Sequence, residues 1–153
     1  VAGTTPALDW ANYPDAVPAL VARLAGVVVE CRPALEVIRQ HDGPETLHYV
    51  DPPYLPHTRS PANKYDLRWR MYRHELTVED HVALLAELRG LEGMVVLSGY
   101  PDPLYDDALD DWERIETAAL ADGALPRTEV LWINPAASAR RHATRSLFAE
   151  VVA

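Results

Sequence analysis

The chain has 153 residues, of which 48% are hydrophobic and 24% charged, and its formal net charge is −9. This length and composition suit one globular domain with a real core, while the acidity argues against stand-alone binding to nucleic acid, whose phosphates would repel it. The lone Cys31 excludes an internal disulfide and fits a reducing cytoplasm; no apolar run reaches the ~20 residues of a membrane span, and the first residues lack a signal-peptide pattern.

Taken in chain order, the elements of a single domain spanning residues 1–153 read as follows. Val1 to Asp9 is expected to be a flexible lead-in. Pro14 to Ala25 is expected to be a helix, with Val17, Leu20, Val21 and Leu24 on one face and Gly26 as its stop. Val27 to Glu30 has the length and composition of a short buried strand, and Pro33 to Gln40 of a helix with proline in its first turn. Leu47 to Asp51 is a second strand, and residues 55–75 form a long excursion. Thr77 to Arg89 is a helix, because Thr77 with Asp80 resembles a capping box and Val78, Leu84, Leu85 and Leu88 form a stripe. Met94 to Ser98 is a buried strand. Trp112 to Ala119 and Thr128 to Ile133 form a hairpin through the turn-rich residues 121–124. The acidic run from Asp102 to Asp111 lacks the glycine and terminal glutamate of a calcium loop and reads as a solvated loop. Arg140, Arg141, His142 and Arg145 form a short basic tail. The alternation implies an α/β class with a mainly parallel sheet.

The stretch Leu47-His48-Tyr49-Val50-Asp51-Pro52-Pro53-Tyr54 carries the most chemistry. Pro52 and Pro53 cannot continue the strand, since they lack the N–H of a ladder and fix φ. Asp51 therefore ends a strand, at the sheet edge where open α/β folds bind ligands, and Tyr54 is held beside it on a stiff turn. The exocyclic amine of a nucleobase is a poor nucleophile, because its lone pair is delocalised into the ring. A carboxylate and a carbonyl that accept its two N–H bonds favour the pyramidal, more nucleophilic nitrogen. Asp51 and the Pro52 carbonyl suit that task, with Tyr54 stacked on the base, and in-line placement against an activated methyl would supply most of the remaining rate. The base would first leave the duplex stack.

Asp51-Pro52-Pro53-Tyr54 resembles the DPPY motif of S-adenosylmethionine-dependent amino-methyltransferases. With residues 26–38 before it and residues 93–100 and 127–135 after it, nearly the whole chain is similar, in order, to the Dam-type adenine-specific DNA methyltransferases, phage and prophage members in particular. The resemblance implies a partial Rossmann-like methyltransferase fold with a C-terminal antiparallel hairpin. It also implies S-adenosylmethionine as cofactor and double-stranded DNA as the complete enzyme's substrate, in a restriction-modification or phage setting. It places the motif acid near the cofactor's methionine end as well as the target amine. The family's glycine-rich Phe-x-Gly-x-Gly loop, the Lys-containing segment before it and its basic recognition region do not occur here: the seven glycines never form Gly-x-Gly. The chain is thus expected to be a C-terminal half, inactive in isolation, whether from a truncated gene or a split enzyme. In the family fold the first two strands lie between the third and fourth. Val27–Glu30 and Leu47–Asp51 would match the third and fourth, which leaves edges for an N-terminal half or for self-association.

Other candidates carry two readings each. Glu30 either contacts the cofactor ribose or is a solvated turn acid, and Cys31 beside it is a cofactor-side or a structural residue. Lys64 and Tyr65, in a stretch that interleaves bases with aromatics, either grip a substrate backbone and stack on bases or form a solvated loop. Ser98 either lines the substrate pocket or bonds a turn. The six histidines show no metal-ligand spacing, and no metal is expected. Two rivals to the methyltransferase reading are an inactive remnant of the same fold and an acidic protein-interaction module.

Overall fold

A computed structural model describes residues 6–58, 72–120 and 126–151. The chain divides into two compact units, Val1–Arg32 and Pro33–Ala153.

In the first unit, helix α1 runs Pro6–Leu24. It starts at Pro6 and not at Pro14, so Pro6 to Asp9 belongs to the helix and not to a lead-in; residues 1–5 lie outside the described residues. Pro14 and Pro18 sit inside it, where proline forfeits a backbone hydrogen bond, which is why the sequence pattern places the start at Pro14. Gly26 ends the turn that follows, with φ of 82°, a left-handed conformation that side chains resist. Val27 to Glu30 is not a strand. It is irregular chain with Val28 and Val29 more than four-fifths exposed. Its β-branched residues have strand propensity, but a strand needs another strand to pair with, and none pairs with it among the described residues.

In the second unit, helix α2 spans Ala34–His41 and strand β1 Leu47–Val50. A 3₁₀ turn at Pro56–Thr58 follows, then helix α3 at Val78–Arg89 and strand β2 at Met94–Gly99. Helix α4 spans Pro103–Ala108, strands β3 and β4 Glu113–Leu120 and Pro126–Ile133, and helix α5 Pro135–Val151. The strands form one α/β sheet in the order β1-β2-β4-β3. β1 and β2 pair in parallel, whereas β4 runs antiparallel to both β2 and β3. The mainly parallel sheet expected from the sequence is therefore a mixed one. The physical reason is the hairpin: its short connection forces β4 to reverse, and β4, not β3, takes the place beside β2.

Strand parity separates two faces. His48, Val50, Val95, Leu97, Val130 and Trp132 share the face that meets α3, α4 and Ile38 in the hydrophobic core. α3 begins with a complete capping box, Thr77 with Asp80. It buries His81, Leu84, Leu85 and Leu88; Val78, expected in that stripe, is about half exposed. Gly99 matters here, since a Cβ would come within 3.2 Å of the Trp132 ring. The other face carries Leu47, Tyr49 and, beyond the strand, Asp51, next to Val96, Ser98 and Tyr100 of the β2 line.

Two further segments depart from expectation. The acidic run is not a solvated loop: Asp102 caps α4 through the Leu104 N–H at 3.0 Å, and Asp106 accepts from the Trp132 indole N–H at 3.0 Å and from Arg114 at 2.8 Å. Asp111 pairs with Arg89 at 2.6 Å. The basic tail is part of α5. Arg140 bonds Glu45, and Arg141 bonds Glu113. Asn134 links the two halves of this architecture: its Oδ1 accepts from the Val95 and Ala137 N–H groups, each at 2.9 Å, and its Nδ2 donates to the Gly93 carbonyl. It thereby ends β4, satisfies β2 and starts α5. No described helix is long and apolar enough to cross a membrane.

Candidate active site

β1 delivers Asp51 to the carboxyl end of the sheet, and the prolines turn the chain there. Pro52 and Leu55 are buried, which anchors the turn, while Asp51 is exposed. Because β1 and β2 are parallel and in register, Ser98 arrives beside Asp51. Its hydroxyl donates to Asp51 Oδ1 at 2.9 Å and lies 3.2 Å from the Val50 carbonyl. Ser98 is thus a brace for the motif acid as well as a partner of the turn backbone.

Tyr54 folds back over this pair. Burial pushes its hydroxyl pKa well above the ordinary phenol range. The charges of Asp51 and Glu129 and a hydrogen bond to Asp51 add to the rise, and a hydrogen bond with Ser98 opposes it. The phenol therefore stays protonated and is a donor toward the acid. Its ring meets Tyr100 edge-on, with centroids 4.7 Å apart. Arg127, near the start of β4, lies over the Tyr100 ring at 5.7 Å. A second link joins the loops after β1 and β2: His57 Nε2 and Asp102 Oδ2 are 2.5 Å apart, and Asp102 is buried.

Of the residues singled out in the sequence, Asp51, Pro52, Pro53, Tyr54 and Ser98 come together. Glu30 and Cys31 belong to the first unit. Glu30 there accepts from Arg32 Nε at 2.8 Å and Nη2 at 3.1 Å, and Cys31 is exposed. Lys64 and Tyr65 lie outside the described residues. Sequence reasoning missed Tyr100, Arg127, Glu129 and the His57–Asp102 link. Parity along β2 was a usable signal for Tyr100, two residues beyond Ser98; the others required the register of β4 and the path of the loops. Among the described residues no three His, Cys, Asp or Glu side chains are grouped to hold a metal ion. A shallow cleft of about 480 Å³ opens near Trp112, Glu113 and Ser138, at the opposite end of the sheet. Of its three acids, Asp110, Asp111 and Glu113, Glu113 is already engaged by Ser138 and Arg141 and Asp111 by Arg89.

The chemistry open to this edge is recognition of a planar donor group: an exposed acid, fixed by a neighbouring hydroxyl and phenol, beside two rings and a guanidinium. No protein-family model and no curated protein matches the chain.

Proposed function

We propose that this chain is the catalytic portion of a DNA adenine-N6 methyltransferase, working in the cytoplasm on duplex DNA. The observation that supports it most is the braced Asp51 at the end of β1, with Ser98 at 2.9 Å and Tyr54 folded beside it. Asp51 and the Pro52 carbonyl hold the amine of a flipped adenine, and Tyr54 with Tyr100 lines the aromatic side of the base. The acid's fixed position matters because in-line transfer tolerates little misplacement. S-adenosylmethionine supplies the methyl group when bound. The exposed Asp51 fits a contact with the methionine end of that molecule. Glu30, paired with Arg32 through both carboxylate oxygens, keeps further lone pairs that could accept from the cofactor ribose.

The sheet supports the partial Rossmann-like reading. A parallel pair led by the motif strand and a closing hairpin are what the fourth strand onward of that fold requires. β1 has an outer edge with no partner strand among the described residues, and in that fold the first two strands lie on this side. We infer that an N-terminal half supplies these strands and the glycine loop.

The test is methylation of duplex DNA by the chain expressed with such an N-terminal half, read as N6-methyladenine by mass spectrometry. Asp51→Ala should abolish the product, leave the circular dichroism spectrum unchanged and lower the stability by only about 1 kcal/mol, through the lost Ser98 contact. Product formed by the mutant at the wild-type rate would overturn the assignment.

A further inference from the structure

Arginine usage in the second unit is uneven. Arg39, Arg89, Arg114, Arg140 and Arg141 each pair with a carboxylate. Of this unit's arginines whose side chains are described, Arg73 and Arg127 have no carboxylate partner among the described residues, and Arg127 is the one at the site. In a chain of net charge −9, a guanidinium without a carboxylate among the described residues, on the site's own sheet edge, is an exception. Glu129 stands two residues away on the same face of β4, yet the two form no ion pair. Arg127 instead lies over the Tyr100 ring at 5.7 Å, and Tyr100 meets Tyr54 at 4.7 Å. Stacking on a ring restrains a guanidinium and leaves its N–H edge open to donate, the arrangement suited to bidentate recognition of an oxyanion.

We propose that Arg127, positioned by Tyr100, binds a phosphodiester of the nucleic-acid strand next to the base held at Asp51. This rests on the reading of Asp51 as the amine-holding residue, and it gives that reading a source of attraction for a polyanion on an acidic chain. Tyr54, in contact with Asp51, and Tyr100, under Arg127, link the acid to the guanidinium, and the proposed nucleotide lies along them with its base at Asp51 and its phosphate at Arg127. Arg127 is a binding residue here and takes no part in the transfer.

The experiment is titration of the full chain, followed by NMR at low salt, with three probes: deoxyadenosine, deoxyadenosine monophosphate (5′ and 3′ forms separately) and deoxyribose 5-phosphate. One charge-assisted contact makes a monophosphate bind about tenfold tighter than the nucleoside. Arg127→Ala erases that difference, Arg127→Lys keeps part of it and guards against loss of fold, and added salt weakens it. The inference is overturned if neither monophosphate binds more tightly than deoxyadenosine, or if the gain survives Arg127→Ala. Failure of the two readings looks different. Deoxyadenosine bound in an Asp51-dependent way without a phosphate gain sinks Arg127 alone. Deoxyribose 5-phosphate held as well as the nucleotide, with no binding of the nucleoside, keeps Arg127 and sinks the adenine reading. Binding of none of the probes sinks both.

Discussion

Ser98 donates its hydroxyl to Asp51 Oδ1 at 2.9 Å, so the motif acid is fixed by the neighbouring strand as well as by its own proline turn. The contact exists only because β1 and β2 are parallel with Val50 opposite Leu97. Ser98→Ala should therefore release the acid without moving the backbone. In the complete enzyme the expected loss of methyl transfer is roughly 10- to 100-fold, the scale of a misplaced reacting group. The accompanying loss of stability should be about 1 kcal/mol. Single-turnover rates and urea melts measure the two effects separately.

Asn134 joins β2, β4 and α5 through three side-chain hydrogen bonds in a buried position. Asn134→Ala leaves the Val95 N–H and the Gly93 carbonyl without those partners. The expected cost is about 2–4 kcal/mol, seen as a lower urea midpoint with an unchanged slope. A midpoint within error of wild type would show that water replaces the amide at no cost.

Helix α3 separates capping from packing. Thr77→Ala removes the capping-box acceptor of the Asp80 N–H and should cost about 1 kcal/mol. Leu88→Ala empties a fully buried position against the sheet and should cost about 2–5 kcal/mol. Equal effects in the two variants would mean that α3 is held by its end and not by its face.

Acid should weaken the fold through specific carboxylates. The Glu92 N–H holds the Asp42 carboxyl below its usual range against the opposing effect of burial, helped by the Gly93 N–H and by His48. The Ser138 hydroxyl, aided by Arg141, does the same for Glu113. A lowered pKa in the folded state means that the charged form favours folding. The stabilisation is complete above the unfolded carboxylate value of about 4 and disappears as pH falls through the folded values. Urea midpoints should be flat near neutrality and fall below about pH 4.5. Asp42→Asn should lower the neutral midpoint and flatten the acid limb.

The legible parts of the fold are those whose signals are local. Thr77 and Asp80 announced α3, and Pro52-Pro53 announced the end of β1, because caps and prolines act within a few residues. Val27–Glu30 and Leu47–Val50 look alike as isolated strings. They differ in whether another strand pairs with them, which is a non-local fact. α4 and α5 were missed although Asp102-Pro103 and Asn134-Pro135 both read as a cap followed by a first-turn proline. Their acids and bases mask those caps as surface charge, whereas they partner the buried Trp132 indole and part-exposed or exposed guanidinium and carboxylate groups. At the site, Asp51 and Tyr54 were readable from chemistry alone. Arg127 was not, because only the antiparallel insertion of β4 beside β2 carries it to Tyr100.

β1 is gripped on one side only. Its ladder to β2 holds Leu47 through Val50, while Leu47 and Tyr49 stand more than half exposed and the opposite edge has no strand against it among the described residues. Amide protons on that edge should exchange with deuterium far sooner than those of β2, which is flanked on both sides. The acid that must be placed most accurately thus hangs from the strand that opens most easily. Whatever docks on that edge would slow the exchange and sharpen the site in one act, so occupancy of the edge can set the rate of the chemistry without touching a single reacting atom.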